Sequence, residues 1–299
     1  MGLSLPSVSV PRESRDSIQD VAADSEPLIV SISDIHGYLD TAKSALLTLS
    51  DHPEYDPLVS VEDDTIHWAG NDYVLVFNGD LVDRGPDNDG VLELVGRLLK
   101  EAPPGCVRIT LGNHEGMLIT PEALPFDGWY SANVPASVRR SYLDWVTNGA
   151  VVAAYEGYNV MYAHAGAPEP YDVPTVNDDL VEAAKRLVEA QGTMEDRTVQ
   201  SRVLDEYPLV LGSGDGHFKS PPAGLIWLDL RYMPADAPPQ VVGHTRDDEL
   251  QIKGNVYCQN VIRETIDSPG GECVFVESPT GLCALLRESD GSVATQQLK

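Results

Sequence analysis

The chain has 299 residues, which is enough for one large α/β domain or two small ones. Its 47 acidic and 20 basic residues give a formal net charge of -27. Such a surface should repel nucleic acid and anionic membranes, because binding to either requires basic side chains that neutralise phosphate. We therefore expect neither of them as a partner.

The acidic residues are dispersed in short groups such as Glu62-Asp63-Asp64 and Asp178-Asp179, and they do not form one long block. A dispersed acidic surface with few lysines suits a cytosol of very high salt, where screening weakens the repulsion between like charges. We therefore favour a halophilic host over the alternative, which is an acidic face that binds a basic partner.

The four cysteines, Cys106, Cys258, Cys273 and Cys283, form no C-x-x-C pair, so a zinc ribbon or redox motif is not expected. They are predicted to be small buried side chains in a reducing compartment. The sequence shows neither a signal-peptide pattern nor an apolar run long enough to cross a membrane. These features predict a soluble cytoplasmic protein.

Short apolar runs predict strands, and each run ends just before a polar group. Residues 1–26 are rich in Ser, Pro, Asp and Glu and are predicted to form a flexible tail. The predicted elements that follow are strand 27–32, helix 41–49, strand 73–77, a helix capped by Asp87 or Asn88, and strands 107–111, 159–163 and 240–242. Because open α/β sheets bind ligands at the carboxyl ends of their strands, we expect these loops to converge at one sheet edge.

Three more strand candidates, 256–258, 273–276 and 282–286, predict an antiparallel sheet that completes a β-sandwich core. Two long inserts, 116–159 and 167–239, carry helices such as 179–190. We expect both inserts to cover the site and to determine the substrate. The sequence thus predicts one domain over 27–289, with a C-terminal tail over 290–299.

Six side chains at the strand ends are candidate metal ligands: Asp34, His36, Asp80, Asn113, His164 and His244. Taken singly, each could be a structural residue or part of a turn. The series is more informative, because four of the seven histidines of the chain fall in these loops. Mixed oxygen and nitrogen ligands suit manganese, iron, zinc or cobalt better than magnesium or calcium. Two such ions about 3.5–4 Å apart would activate a shared water and hold phosphoryl oxygens.

Three neighbouring residues indicate phosphoryl chemistry. Arg84 can direct two N–H groups at phosphate oxygens, although a surface salt bridge is the alternative. His114 can donate a proton to a leaving oxygen while Asp83 holds its ring, unless Asp83 instead caps the following helix. We assign no catalytic role to Glu115.

The motifs resemble those of the calcineurin-like metallophosphoesterases, and more narrowly those of the phosphoprotein phosphatase branch. They are Ser33-Asp34-Ile35-His36-Gly37, Gly79-Asp80-Leu81-Val82-Asp83-Arg84-Gly85, Gly112-Asn113-His114-Glu115, His164-Ala165-Gly166 and Gly243-His244-Thr245. The resemblance implies an α/β fold, a four-layer αββα sandwich with helical inserts over the site. It implies Asp34, His36 and Asp80 on one metal ion, and Asp80, Asn113, His164 and His244 on the other. It also implies that Arg84 binds phosphate and that His114 and Asp83 form an acid dyad.

Some positions depart from the eukaryotic Ser/Thr phosphatases. Ala165 stands where those enzymes have glycine, and it is similar to prokaryotic members that include the symmetrical diadenosine tetraphosphate hydrolases. Trp68-Ala69-Gly70 resembles the Shewanella-like phosphatases. The second phosphate-binding arginine of the family has no clear match; Arg231 is the first candidate, with Arg197 and Arg202 as alternatives.

The sequence thus predicts a metal-dependent phosphoester hydrolase with two metal ions, of which manganese is the first candidate. We expect a phosphorylated protein or a small phosphoester as substrate. The activity that we expect first is that of a Ser/Thr phosphoprotein phosphatase. The alternative is a nucleotide polyphosphate hydrolase, which a base-stacking cleft would favour, whereas an open groove would favour a phosphopeptide. A non-catalytic scaffold is a minor alternative, because no expected ligand is missing.

The halophilic hypothesis predicts that the free energy of unfolding rises as salt is added from low to molar concentration, because screening weakens repulsion among the acidic groups. Denaturant unfolding at a series of potassium chloride concentrations measures this dependence. Maximal stability and activity at low salt would contradict the hypothesis.

Overall fold

A computed structural model describes residues 3–21, 25–215, 218–267 and 272–299. Within this part of the chain the strands are, in order, β1 (Ile29–Ile32), β2 (Val59–Glu62), β3 (Thr65–Trp68), β4 (Val74–Phe77), β5 (Val107–Thr110), β6 (Val151–Val152), β7 (Tyr155–Glu156), β8 (Met161–Tyr162), β9 (Gln240–Val242), β10 (Gln251–Lys253), β11 (Val256–Cys258), β12 (Cys273–Ser278), β13 (Gly281–Arg287) and β14 (Val293–Gln297).

The α-helices in the same part of the chain are α1 (Leu39–Leu47), α2 (Asn88–Glu101), α3 (Asn113–Ile119), α4 (Tyr130–Asn133), α5 (Ala136–Thr147), α6 (Val173–Ala190), α7 (Asp196–Glu206), α8 (Pro208–Leu211) and α9 (Ile262–Thr265). Short 3-10 helices occupy Arg12–Ser14, Ile18–Asp20 and Leu230–Tyr232.

Two sheets contain the strands that lead to the predicted site. One has the order β14-β13-β12-β1-β4-β5-β6, and the other has the order β10-β11-β9-β8-β7. In the first sheet β1, β4 and β5 are parallel, and in the second sheet β8 and β9 are parallel. The predicted loops therefore follow strands of two sheets, three in one and two in the other, although we expected a single sheet edge.

The alternation of side chains along each strand produces two cores. In β1 and β4, the side chains of Ile29, Val74 and Val76 belong to a cluster that also contains Tyr162 and Val241 of the second sheet. The intervening side chains, such as those of Ile32, Leu75 and Phe77, pack with helices in the larger core. Helices therefore cover one face of the first sheet while its other face packs on the second sheet, which is consistent with the predicted metallophosphoesterase sandwich.

Capping side chains mark the starts of α2 and α6, whereas the start of α1 has no side-chain cap. Helix α1 begins two residues before the predicted start at Thr41. Asp87, not Asn88, caps α2, because its side chain accepts a hydrogen bond from the Gly90 N–H at 2.9 Å. Helix α6 begins at Val173, six residues before the predicted start, because Asp172 caps its first turn.

The predicted flexible tail over 1–26 is wrong for residues 3–21. Leu5 and Ile18 are buried, and the Trp145 Nε1–H donates to the Pro6 carbonyl at 2.8 Å. The fully buried guanidinium of Arg108 donates to the carbonyls of Ser14 and Arg15. The polar composition of the segment does not reveal this packing, because two apolar side chains and several backbone carbonyls make these contacts.

The C-terminal predictions also need correction. Strand β11 joins the second sheet parallel to β9, whereas β12 and β13 extend the first sheet antiparallel, so the three do not form one sheet. Residues 293–297 of the predicted tail form β14, which pairs with β13. β14 is an edge strand whose side chains are mostly exposed, and backbone hydrogen bonds hold it in the sheet. Its sequence therefore lacks the apolar run that predicts a strand elsewhere in the chain.

The four cysteines are free and buried, as predicted. Within the described ranges, no helix is both long enough and apolar enough to cross a membrane.

Replacement of Ile18 by Ala should lower the free energy of unfolding by about 3 kcal/mol, because it leaves a cavity in the core between the sheets. Urea denaturation measures the change. Gln19→Ala, at an exposed position of the same 3-10 helix, is the matched control. Equal stability of the Ile18→Ala variant and the wild type would mean that the segment does not pack on the core.

Candidate metal centre and phosphate pocket

Left-handed backbone conformations are concentrated at the predicted site residues. Among the described non-glycine residues with positive φ are six of them: Asp34, His36, Asp80, Asp83, Arg84 and His244, with φ between 50° and 71°. Such conformations are uncommon for side-chain-bearing residues and collect at functional sites, where the surrounding structure offsets the strain. Here they turn the loops after β1, β4 and β9 sharply, so that the side chains of these loops meet.

Two glycines permit the close approach of these loops. A Cβ atom on Gly112 would overlap the backbone nitrogen and the carboxylate of Asp80. A Cβ atom on Gly243 would overlap the side chains of Ser33 and Asp34. Both motif glycines are therefore required by the space around two candidate ligands.

The carboxylate of Asp80 lies at the centre of the cluster. Its Oδ2 is 3.3 Å from His164 Nε2, 3.5 Å from His36 Nε2 and 3.9 Å from His114 Nε2. Burial acts to raise the pKa of Asp80, but the neighbouring His164 and His114 outweigh it and hold that pKa well below its ordinary value. The two groups of histidines therefore share Asp80 and favour its carboxylate form.

Backbone carbonyls fix two of these imidazoles. The Nδ1 of His36 lies 2.9 Å from the Val82 carbonyl, and the Nδ1 of His164 lies 2.9 Å from the Asn78 carbonyl. Because a carbonyl can only accept, both Nδ1 atoms must carry the proton. In the neutral rings the Nε2 lone pairs then face Asp80, which is the arrangement that a metal ligand requires.

The remaining ligand candidates complete the cluster. The amide oxygen of Asn113 is 2.8 Å from His244 Nδ1 and 3.2 Å from His164 Nε2. Asp34 Oδ1 lies 3.9 Å from His36 Nε2 and accepts a hydrogen bond from Asn260 Nδ2 at 2.7 Å. Burial, together with the charge of Asp80, raises the pKa of Asp34 to about 7.

Glu115 has a structural role that its motif position does not reveal. Its buried carboxylate accepts hydrogen bonds from the backbone N–H groups of Asp80, Leu81 and Val82 at 2.9, 2.8 and 3.2 Å. These bonds hold the loop that carries Asp80. Burial and the nearby Asp80 charge raise the pKa of Glu115 to about 8.

The predicted acid dyad is formed by a direct hydrogen bond. His114 Nδ1 lies 2.6 Å from Asp83 Oδ2, and the other oxygen of Asp83 accepts from the Ser131 N–H at 2.8 Å. Asp83 therefore does not cap α2. The His114 ring stacks on Trp129 with ring centroids 4.6 Å apart, and the Arg84 guanidinium lies 4.8 Å from the same Trp129 ring. Trp129, which sequence reasoning missed, thus contacts both groups.

The donor set fits two metal ions. Two groups of side chains, His36-Asp80-His114 and Asp80-His164-His244, place potential ligand atoms within 4.8 Å of one another and share Asp80. Buried carboxylates at Asp34, Asp80 and Asp83 require compensating positive charge, because isolated charges are costly in a protein interior. The Nε2 atom of His244 is buried without a hydrogen-bond partner in the described part of the chain.

The site opens into a cavity of about 580 Å³, hereafter the site pocket. Both inserts contribute to its lining, the first through Phe126 and Trp129 and the second through Phe218, Trp227 and other residues. Five basic residues also line the pocket: Arg84, Lys219, Arg231, Arg246 and Arg263. One quarter of the 20 basic residues of the chain is therefore gathered around a single cavity.

The position of Arg231 agrees only in part with its predicted role as the second phosphate-binding arginine. Arg231 lines the pocket, but its side chain is 71% exposed and its guanidinium is bound to Asp229 at 3.0 and 3.1 Å. The alternatives Arg197 and Arg202 lie on α7, outside the lining of the site pocket.

The chain belongs to the family of calcineurin-like phosphoesterases, whose family profile matches residues 27–245. This match confirms the family resemblance predicted from the motifs.

Symmetrical bis(5'-nucleosyl)-tetraphosphatases from Pectobacterium atrosepticum and Pectobacterium carotovorum are 29% and 31% identical to the chain over 153 and 149 residues. Each alignment covers 48% of this chain and 45% of the relative, so the chain spans less than half the length of these relatives. A cold-active protein-tyrosine phosphatase of a psychrophilic Shewanella species has a similar structure, with a TM-score of 0.59 and 18% identity, over 98% of this chain and 87% of the other. At that identity the likeness shows the shared fold.

Replacement of Asp83 by Asn should lower kcat about 100- to 10,000-fold for a phosphoserine peptide, because the amide disrupts the hydrogen bond that orients His114. The loss should be much smaller for p-nitrophenyl phosphate, since nitrophenolate leaves without protonation. Steady-state kinetics with both substrates measures this difference, and Asp87→Asn, which preserves a good helix cap, is the matched control. Equal losses on the two substrates would contradict a proton-donor role for the dyad.

Proposed function

We propose that the chain is a metal-dependent phosphoester hydrolase. The observation that carries the proposal is the Asp80 carboxylate, which lies between two groups of histidines with Arg84 and the His114–Asp83 pair beside it. Asp34, His36, Asp80, Asn113, His164 and His244 would hold two metal ions, for which manganese is the first candidate. A metal-binding scaffold without activity would not need a proton donor held this firmly.

The bound ions would supply Lewis acidity and an activated water. The chain itself supplies the other functions. Arg84 binds the phosphoryl oxygens with its forked N–H donors, and Trp129 packs against its guanidinium. His114 delivers a proton to the leaving oxygen from Nε2, while Asp83 accepts from Nδ1 and keeps the ring oriented. Glu115 and Asn260 hold the backbone and carboxylate positions on which this geometry depends.

A phosphorylated Ser or Thr side chain is the first substrate class, because the motif forms resemble the phosphoprotein phosphatase branch. Such a substrate needs a single phosphate site and a protonated leaving alkoxide, and the Arg84 and His114 side chains match both needs. Arg84 Nη2 and His114 Nε2 are 3.4 Å apart. One phosphate group can therefore contact both side chains.

A nucleoside polyphosphate is the second substrate class, and the lining of the pocket favours it. Trp129, Phe126, Phe218 and Trp227 form, in that order, a continuous aromatic wall in which the ring centroids of successive pairs are 5.1, 5.7 and 5.2 Å apart. Planar bases stack on such rings, and five basic side chains exceed the need of one phosphate. The Pectobacterium relatives are named for this type of substrate.

Asp80→Asn should abolish binding of at least one of the two ions and lower kcat by more than the roughly 100-fold that is typical of losing a hydrogen bond to a ligand. Metal content is measured by elemental analysis after manganese loading, and activity with p-nitrophenyl phosphate, a phosphoserine peptide and diadenosine tetraphosphate. Asp205→Asn, at an exposed carboxylate, is the control.

The three substrates separate the alternatives. Cleavage of diadenosine tetraphosphate alone would exclude the phosphoprotein phosphatase, and cleavage of the peptide alone would exclude the nucleotide hydrolase. A manganese-loaded wild type that cleaves none of them would favour the non-catalytic scaffold. Full activity in the Asp80→Asn variant would refute the two-metal proposal.

A further inference from the structure

Arg84 accounts for positive charge on only one side of the metal-ligand cluster. Its Nη2 lies 3.4 Å from His114 Nε2, beside the group His36-Asp80-His114. A phosphoryl group held over both ligand groups also presents oxygens toward the second group, which contains His164 and His244. A basic residue of the pocket on that side is therefore of interest.

Lys219 fits this position. It lines the site pocket directly after Phe218, whose ring centroid lies 5.2 Å from that of Trp227, and the Trp227 ring lies 6.2 Å from the ring of His244. Leu230, the neighbour of the Asp229 that bonds the Lys219 carbonyl, donates its N–H to Thr245 Oγ1 at 2.9 Å, and Thr245 directly follows His244. Arg84 and Lys219 thus lie toward different histidine groups of one site.

The backbone holds Lys219 firmly. Its N–H donates to the Ser213 carbonyl at 3.0 Å, and its own carbonyl accepts from the Asp229 N–H at 3.0 Å. Its φ of 77° is in the left-handed region, which it shares with six predicted site residues. A lysine in this conformation is unfavourable unless the surrounding structure imposes it, so its placement at the pocket is a feature of the fold.

Lys219 is also not neutralised by a direct ion pair. Among the residues that the structure describes, no carboxylate lies within 4.0 Å of its Nζ, whereas Arg231 is bound to Asp229 and Arg246 contacts Glu264 at 3.1 Å. Burial lowers the pKa of Lys219, although a primary ammonium group begins from an ordinary value far above neutrality. The half-buried ammonium group of Lys219 therefore has no carboxylate partner within this distance, and an anionic substrate could take that place.

We propose that Lys219 is the second phosphate-binding cation of the site, in the place expected for Arg231. It would contact phosphoryl oxygens from the His164–His244 side while Arg84 contacts them from the His36–His114 side. The inference rests on the proposed function, because it names a binding residue for the same substrate phosphate. Arg231, which is exposed and paired with Asp229, then lines the pocket without holding this phosphate.

The test compares the binding of inorganic phosphate to manganese-loaded protein by titration calorimetry. Lys219→Met keeps the length and the Cβ of the side chain, so it removes the charge without relieving the backbone strain. Kd for phosphate should rise about 10- to 100-fold, which corresponds to the loss of a charged hydrogen bond. Lys219→Arg should restore most of the affinity, and KM for p-nitrophenyl phosphate should rise more than kcat falls.

Lys185→Met, on the exposed surface of α6, is the matched control. An unchanged Kd in Lys219→Met, or a larger increase in Arg231→Met, would overturn the proposal. Equal weakening in Lys219→Met and Lys219→Arg would also overturn it, because a charge-based contact should survive the exchange. Calorimetry does not depend on turnover. If the wild type hydrolyses no phosphoester but the Kd values of the Lys219 variants differ from that of the wild type as predicted, the proposed function is refuted and the role of Lys219 is supported.

Discussion

The buried carboxylate of Asp80 is the interaction on which the rest of the site depends. One oxygen, Oδ2, faces three imidazole nitrogens within 3.9 Å, and the other accepts the His114 backbone N–H at 3.0 Å. A charge so deeply buried is stable only when partners surround it on every side. Loops from two sheets supply those partners, and Glu115 fixes the backbone that carries the carboxylate.

This constraint explains why the loops have an unusual backbone. Each ligand must turn inward within a few residues of its strand, and left-handed conformations at Asp34, His36 and His244 make that turn. The small residues Gly112 and Gly243 let neighbouring loops approach to contact distance. Strain and close packing thus arise from the same requirement, which is to bring side chains from two sheets to one point.

The ligands could be predicted from the sequence because each directly follows an apolar strand and belongs to an ordered motif. The groups that orient them could not be predicted in the same way. The carbonyls of Asn78 and Val82 have no side-chain signature, and Asn260 lies 226 residues from the Asp34 carboxylate that it contacts. Trp129 and Lys219 lie in inserts without a motif, so only the three-dimensional structure brings them to the pocket. For the same reason the packing of residues 3–21 and the edge strand β14 escaped prediction: backbone hydrogen bonds hold much of both.

The hydrogen bond between the His244 N–H and the Asp34 carboxylate joins residues 210 positions apart. A contact of such high sequence separation closes a very long loop, and the entropy of that closure must be overcome before the contact contributes any stability. Pairing of β1 with β12, from Ile29 to Glu277, closes a longer loop still, so the metal centre should assemble late in folding, together with that pairing. A chain that ends before His244 would lack this contact and one candidate ligand, so a partly synthesised protein should not bind both ions.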